Sequence, residues 1–336
     1  MEDTDKGTDT GTEEAGRRGT TGKAGPTRGK ARQGGTHAVR AGNRTVEVHR
    51  PDKVLFPDDG LTKADVVDYY RRVAAVMVPQ LRDRLLMLER LPEGLDGPHF
   101  MQKETPDHYP DWIRREEVAK EGGTVTHPVC DDKATLLYLA DQACLTLHRW
   151  LSRAGRPDHP DRLVFDLDPP GSDFEPVREA ARQLVGLLDE LGLPATLMTT
   201  GSRGLHVTVP LDGRSDFDTV RGFAQDVAEV LAGRHPDRLT TAVRKKARGD
   251  RLYLDVQRNA YAQTAVAPWS LRAKPGAPVA APISHEQLDD PELTARSWSL
   301  REVAGVVEQA RARPWSKLPA RGRSLRTARK RLDAMR

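Results

Sequence analysis

The chain has little with which to cross-link itself, enter a membrane or build a large aromatic core. Cys130 and Cys144 are the only two cysteines in 336 residues. They form neither a zinc-ligand pattern nor a disulfide framework, so a reducing, cytoplasmic setting is the expectation. No apolar run approaches the roughly 20 residues that a membrane helix needs, and the N-terminus has no apolar signal core. Aromatic residues make up 5% and hydrophobic residues 37% of the chain. That is low for a packed chain of this length, and it implies that part of the sequence stands outside the core. Charge of one sign is not missing, but it is nearly balanced: 53 Lys and Arg face 49 Asp and Glu, for a net charge of +4. The mild basic excess favours a polyanionic partner without demanding one.

The segments short of apolar side chains are the two ends. Residues 1–44 are rich in Gly and Thr, acidic from Glu2 to Glu14 and basic from Arg17 to Arg44. They are expected to form a disordered tail, because they cannot bury enough surface to offset the entropy of ordering. At the other end, over residues 315–336, Arg321, Arg323, Arg326, Arg329, Lys330, Arg331 and Arg336 face the single acid Asp333. Their spacing suits a basic helical tail, either a solvated face or a DNA contact. The folded domain is expected to span 45–314.

Within that domain Thr62 and Asp65 can cap a helix running to Leu86, with Val66, Val67, Tyr70, Val73 and Val76 on its apolar face. Helices are also expected over Leu136–Ser152, over Phe174–Leu191 with Gly192 as its stop, and over Phe217–Ala232. Ala195–Thr200 and Leu205–Leu211 have the look of two strands joined by a glycine-bearing turn. Alternating strands and helices on a mostly antiparallel sheet give an α+β, mixed α/β class.

The chemistry concentrates in Leu163-Val164-Phe165-Asp166-Leu167-Asp168-Pro169-Pro170. On a strand, Asp166 and Asp168 share one face while Leu163, Phe165 and Leu167 take the other. Two carboxylates on one strand face lie roughly 6–7 Å apart and repel, unless a divalent cation with oxygen ligands stands between them. A third acid, Asp255, lies on a second predicted strand, Arg251–Gln257, on the face opposite Leu252, Leu254 and Val256. Three such acids suit Mg²⁺ or Mn²⁺ and a phosphate-bearing substrate in a two-metal displacement. Arg258 and Arg272 follow, with guanidinium forks that match phosphate oxygens. The turn Thr200-Gly201-Ser202-Arg203-Gly204 with His206 supplies free N–H groups, hydroxyls, a cation and an imidazole within seven residues, a candidate triphosphate cradle. Taken singly, each has a plainer reading: a hairpin turn, a core histidine, surface arginines.

Taken in order, Val164-Phe165-Asp166-Leu167-Asp168-Pro169, Gly204-Leu205-His206-Val207, Val209-Pro210-Leu211, Leu254-Asp255, Asn259, Thr264, Ala267-Pro268 and Ser270-Leu271-Arg272-Ala273 resemble the polymerase domain of bacterial DNA ligase D. That domain is part of the archaeo-eukaryotic primase superfamily. Pro51-Asp52-Lys53-Val54-Leu55-Phe56-Pro57 and Thr62-Lys63 extend the likeness upstream, so that it covers roughly 44–300. No ligase or nuclease motif accompanies it in this sequence, which reads as a stand-alone polymerase module. The resemblance implies template-guided primer extension and gap filling at DNA ends in non-homologous end joining, favouring ribonucleotides and Mn²⁺ and working with Ku and a separate ligase. It implies that Asp166, Asp168 and Asp255 hold the metals, and that Thr200, Arg203, His206 and Arg272 hold the triphosphate with Arg258 and His148 close by. Lys53 and Lys63 would hold a 5′-phosphate, and Phe100 would pack on a template base. The usual Thr-Ser-Gly-Gly-Lys-Gly turn of the family is here Thr199-Thr200-Gly201-Ser202-Arg203-Gly204, and an aromatic pair is here Phe100-Met101. Ser202 thereby narrows the backbone angles open to the cradle, and Met101 softens the stacking surface. A nonenzymatic DNA-end binding or synapsis factor is the alternative, although it would leave the three acids idle. A metal-dependent glycosyltransferase would use the Asp-X-Asp strand but not the paired lysines.

Overall fold

The structure, a computed structural model, describes residues 35–316 and 321–336. In chain order the elements that build the site are β1 (Thr36–Ala41), β2 (Arg44–His49), α1 (Lys63–Leu81), β3 (Leu86–Arg90), β4 (Phe100–Gln102), α2 (Lys133–Asp141), β5 (Cys144–Trp150), β6 (Arg162–Asp168), α3 (Glu175–Glu190), β7 (Thr196–Thr199), β8 (Leu205–Pro210), α4 (Phe217–Arg234), β9 (Leu239–Thr240), β10 (Leu252–Asp255), β11 (Thr264–Val266), β12 (Pro282–Ile283), α5 (Val303–Ala312) and α6 (Leu325–Asp333).

Two sheets carry the domain. One has six strands in the order β9-β10-β6-β8-β7-β12, antiparallel except for the β9–β10 pair. The other has four, in the order β11-β5-β3-β4, all antiparallel. Leu163, Phe165 and Leu167 of β6 and Leu205, Val207 and Val209 of β8 bury against α3 and α4 in one core. Leu86 and Leu88 of β3 and Leu145 and Leu147 of β5 bury against α1 and α2 in another. Each sheet thus turns its apolar face to its own helices, and the alternate residues of β6 and β5 face the space between the sheets.

Several expectations need correction. The tail does not extend to residue 44: β1 and β2 form a hairpin whose Ala41, Val46 and Val48 enter the core. Residues 1–34 lie outside the described residues. Thr62 and Asp65 do form a capping box, but α1 ends at Leu81, and Asp83, at φ +57°, turns the chain into β3. The helix expected over 136–152 divides in two. α2 stops at Asp141, Ala143 takes φ +56°, and 144–150 becomes β5. The cause is the period: Leu145 and Leu147 alternate with Thr146 and His148, and pairing with β3 on one side and β11 on the other satisfies the backbone. The end of the chain is not a loose tail either. α6 is helical as expected, but it buries Leu325, Ala328 and Leu332 in the α3/α4 core.

One buried ion pair ties the two halves together. Arg84, only 1% exposed in its side chain, donates to both oxygens of Asp161 at 2.6 and 2.9 Å and to the carbonyls of Trp150 and Ser152. Burial by itself would raise the Asp161 pKa, but Arg84, Arg162 and Arg153 outweigh it and hold the carboxyl at about 2. Asp161→Asn strands the buried guanidinium, at a cost of about 3–5 kcal/mol, and thermal unfolding should show a melting temperature lower by roughly ten degrees. Because the folded pKa is depressed, the pair's stabilisation is present above the unfolded value near pH 4 and is lost as pH falls toward 2. The variant should therefore lose less stability than the wild type over that interval.

Candidate active site

The register of the six-stranded sheet assembles the acids. Asp166 stands directly opposite Asp255 across the β6–β10 ladder and directly opposite His206 across the β6–β8 ladder. Side chains so paired have Cβ atoms roughly 4.5–5.5 Å apart. Asp168, two residues on, shares the face of Asp166. All four groups point away from the helices, because their neighbours Leu167, Leu205, Val207 and Leu254 fill the core on the other side. His206 Nε2 lies 3.5 Å from Asp166 Oδ1, and Arg258 Nε lies 3.4 Å from Oδ2. Burial pushes the Asp166 carboxyl up, but His206 and Arg258 prevail and bring it to about 2. Asp168 moves the other way: burial raises its pKa first, then the charges of Asp166 and Asp255, against a partial pull from Arg203. That like-charge crowding is the electrostatic mark of three carboxylates sharing one place. Asp255 is set by its own strand end, where Oδ1 accepts the Gln257 amide at 2.7 Å.

Facing the acids is a group of cations and one neutral imidazole. His148 on β5, Arg203, Arg258 and Arg272 line a cleft with Asp166, Asp168 and His206. The cleft encloses about 130 Å³ and is lined mainly by charged and polar side chains, a lining that suits phosphoryl oxygens. Arg272 Nη1 donates to the Thr200 carbonyl at 2.7 Å, while its buried Nε has no partner, a donor left for a ligand. Its loop is pinned beside β5: Ser270 Oγ accepts the Leu147 amide at 2.8 Å, and Tyr70 Oη accepts the Leu271 amide at 3.2 Å. Burial, with Arg272, Arg258 and His206 around it, drives the His148 pKa down to about 3. At neutral pH this ring is uncharged.

The turn between β7 and β8 differs from expectation in its details. The Thr200 hydroxyl is used inside the turn, donating to the Gly204 carbonyl at 3.0 Å and accepting the Ser202 and Gly204 amides at 3.3 Å. The Gly204 N–H is therefore not free for phosphate, and Thr200 serves as a brace rather than as an open donor. Ser202 replaces a glycine without strain, because the left-handed position of this turn is Gly201, at φ +64°. Gly204 matters for another reason: a Cβ there would sit 2.1 Å from the carbonyl oxygen of Leu167, between the two acids of β6.

Sequence reasoning missed three contributors. Asn259, fully buried, accepts the Val164 amide at 2.8 Å and donates to the carbonyls of Val164 and Val256 at 2.7 and 2.9 Å. It substitutes a side-chain amide for a ladder partner and locks the Arg258 turn to β6. Its only signal was its place in the motif string. Arg296 donates to the Ser202 carbonyl at 3.0 Å. Lys274, whose pKa is lowered by burial and by Arg272, Arg296 and Arg203, joins the same cationic group. Both are remote in sequence from the turn they approach.

Among the described residues no closed cage of three or more His, Cys, Asp or Glu ligands is formed. The donor set nevertheless fits a hard divalent cation of the kind that is held by one or two carboxylates and completed by substrate phosphates, and such an ion would relieve the crowding felt by Asp168. The proposed DNA contacts lie elsewhere. Lys53 pairs with Glu93 at 2.7 Å. Lys63 is buried and lies 3.3 Å from Asp141, its pKa drawn down by burial, then held up by Asp141, with Lys53 and Arg50 adding repulsion. Phe100 and Met101 on β4, at the edge of the four-stranded sheet, are 51% and 53% exposed.

Comparison with known proteins identifies the family and the fold. The family described as "LigD, primase-polymerase domain" matches residues 62–315. The chain belongs to the LigD primase-polymerase family. Within that family it is 36% identical over 267 residues to the multifunctional non-homologous end joining DNA repair protein LigD of Mycobacterium tuberculosis, covering 77% of this chain and 35% of that protein. It is 32% identical over 260 residues to the bifunctional non-homologous end joining protein LigD of Bacillus subtilis, covering 77% of this chain and 42% of that one. The chain thus spans about a third to two-fifths of the length of these curated relatives. The solved polymerase domain of Mycobacterium tuberculosis ligase D, in complex with DNA, superposes with a TM-score of 0.75 at 35% identity, covering 82% of this chain and 99% of that one. Membership places the chain among DNA-directed nucleotidyltransferases with a primase-like mixed fold. Among the described residues no helix is long and apolar enough to cross a membrane.

Proposed function

We propose that the chain extends a primer strand at DNA ends in non-homologous end joining, filling gaps opposite a template and favouring ribonucleotides. The observation that carries this reading is the convergence of Asp166, Asp168 and Asp255, from two strands, opposite a set of arginines. Asp166, Asp168 and Asp255 would hold Mg²⁺ or Mn²⁺, which when bound supplies charge neutralisation at the phosphoryl group and activation of the attacking hydroxyl. Arg203, Arg258 and Arg272 grip the triphosphate, and the unpartnered Nε of Arg272 completes its fork on a phosphate oxygen. His206 and Arg258 keep Asp166 ionised and aimed. His148, uncharged, offers a hydrogen bond without adding repulsion to the cationic group. Asn259 and the Thr200 brace hold the two walls in register. Ku and a separate ligase are the partners this role calls for.

The test is addition of labelled nucleotide to a gapped, 5′-phosphorylated duplex, with ribonucleotides and deoxynucleotides compared and Mg²⁺ and Mn²⁺ compared. Absence of extension with DNA binding intact would leave a DNA-end scaffold as the reading. In this role Arg50, Lys53 and Lys63 receive the downstream 5′-phosphate. The Lys53 ammonium exchanges Glu93 for that phosphate, so Lys53→Gln should reduce the preference for a phosphorylated over an unphosphorylated gap by roughly tenfold, about 1.4 kcal/mol, and leave extension of a plain primer-template unchanged. Equal loss on both substrates would refute the assignment.

A further inference from the structure

We propose that the outer face of α6 is a second binding surface for duplex DNA, separate from the catalytic cleft and on the opposite side of the six-stranded sheet. The choice of DNA among polyanions rests on the functional reading above; the existence of the surface does not. α6 lies beyond the residues matched by the family, which end at 315, yet it is firmly built in. Leu325, Ala328 and Leu332 enter the α3/α4 core. The strand-like approach to the helix is strapped to the end of β8, where the Arg323 amide donates to the Pro210 carbonyl at 2.9 Å and the Asp212 amide donates to the Arg323 carbonyl at 3.1 Å. Gly322 fits there because a Cβ would meet the Leu211 carbonyl oxygen at 2.0 Å.

The cations of this segment divide into two groups. Three have partners: Arg329 pairs with Asp226 and with Asp333, Arg336 with Asp226 and Glu229, and Arg331 donates to the Glu190 carbonyl. The others, Arg321, Arg323, Arg326 and Lys330, are exposed, and among the described residues no acid lies within ion-pair distance of them. Arg321 and Arg323 stand on the approach to the helix, and Arg326 and Lys330, four residues apart, form a short stripe along one side of it, roughly 6 Å long at 1.5 Å per residue. Between them stands Thr327, and no apolar side chain interrupts the stripe. A membrane surface would call for apolar residues to insert, and a protein interface for an aromatic or aliphatic anchor. A lattice of phosphates asks only for spaced cations.

Position decides what such a surface can do. α6 belongs to the helix layer on one face of the sheet, while Asp166, Asp168 and Asp255 point from the other. DNA held at α6 is therefore not the primer terminus in the cleft but a more distant stretch of the same duplex or a second one. Its loss should change affinity and leave the turnover rate alone.

The experiment uses the full chain with Arg321, Arg323, Arg326 and Lys330 all changed to Gln, and a control with Arg40, Arg82, Arg156 and Arg311, also exposed, changed to Gln. Binding of a long blunt duplex, without nucleotides, is measured against salt concentration. Each phosphate contact contributes about 0.9 to the salt slope, so the α6 variant should lose about 2–4 from it and bind roughly tenfold or more weakly at low salt, while the control changes little. The kcat for extension of a short primer-template at saturation should match the wild type. Because all four side chains are exposed, the melting temperature should be unchanged, and Arg326→Gln alone should lower the slope by about one contact. An unchanged slope, or an equal loss in the control, overturns the inference, as does loss of anionic-vesicle binding with DNA binding intact. Failure of primer extension in the wild type, with the slope loss present, would overturn the functional reading and leave the surface standing as a polyanion site.

Discussion

Asp255→Ala is expected to lower nucleotide addition by about 10³-fold or more, equivalent to about 4 kcal/mol of lost transition-state stabilisation, with the fold preserved. Asp255 stands opposite Asp166 in the ladder and adds to the negative field that raises the Asp168 pKa. Its removal takes away one of the three carboxylates that would hold the metal, and no other carboxylate occupies that register position. Folding should suffer little. The variant gives up the bond that Asp255 accepts from the Gln257 amide, worth about 1 kcal/mol, and partly recovers it as like-charge crowding around Asp168 eases. Single-turnover extension and a thermal melt on the same preparation provide the check. Substantial residual extension would reject the metal role of Asp255. A collapse in melting temperature would make the residue structural instead. A second readout needs no activity: the wild type should be stabilised by Mn²⁺ in the melt, and the variant distinctly less.

Gly204→Ala should be nearly as damaging, by steric means alone. Gly204 carries no positive φ, so alanine suits its backbone conformation; the obstacle is the Leu167 carbonyl oxygen 2.1 Å from the new Cβ. Relief requires the turn and β6 to move apart at the residue between Asp166 and Asp168. Overpacking of this kind costs about 1–3 kcal/mol, and a displacement of about 1 Å at reacting groups can cost 10²-fold in rate. Extension should thus fall by about 10²-fold, with kcat affected more than nucleotide KM and a melting temperature a few degrees lower. Gly201→Ala offers a contrast, since its φ of +64° and the 2.8 Å approach of the new Cβ to Arg272 Cγ put the strain on the side where the triphosphate is proposed to sit. Its first effect should be on nucleotide KM. If Gly204→Ala keeps wild-type kcat, the close packing of the turn on β6 plays no part in setting the acids.

What could be read from the sequence depended on how local the cause was. The capping box at Thr62, the amphipathic α3 and the paired strands β7 and β8 each follow from a few neighbouring side chains, and they formed as expected. His148 shows the opposite case. Its segment has enough Leu and Ala before it to pass for a helix, and it became β5 because β3 and β11, distant in sequence, supply the hydrogen bonds that make a strand there the better solution. The same applies to Asn259, Arg296 and Lys274, whose work at the site is done on chain that local patterns cannot connect.

The order of acids, arginines and glycines along the chain was sufficient by itself to establish the family, the shared face of Asp166 and Asp168 and the chemistry they suit, because strand alternation and side-chain charge are local properties. Which acid faces which, how His148 on a second sheet meets Arg272, that Thr200 is consumed inside its own turn, and that the last basic helix joins the core were decided only by tertiary structure. Those are matters of register and packing, settled when distant strands exchange hydrogen bonds and distant apolar faces leave water together.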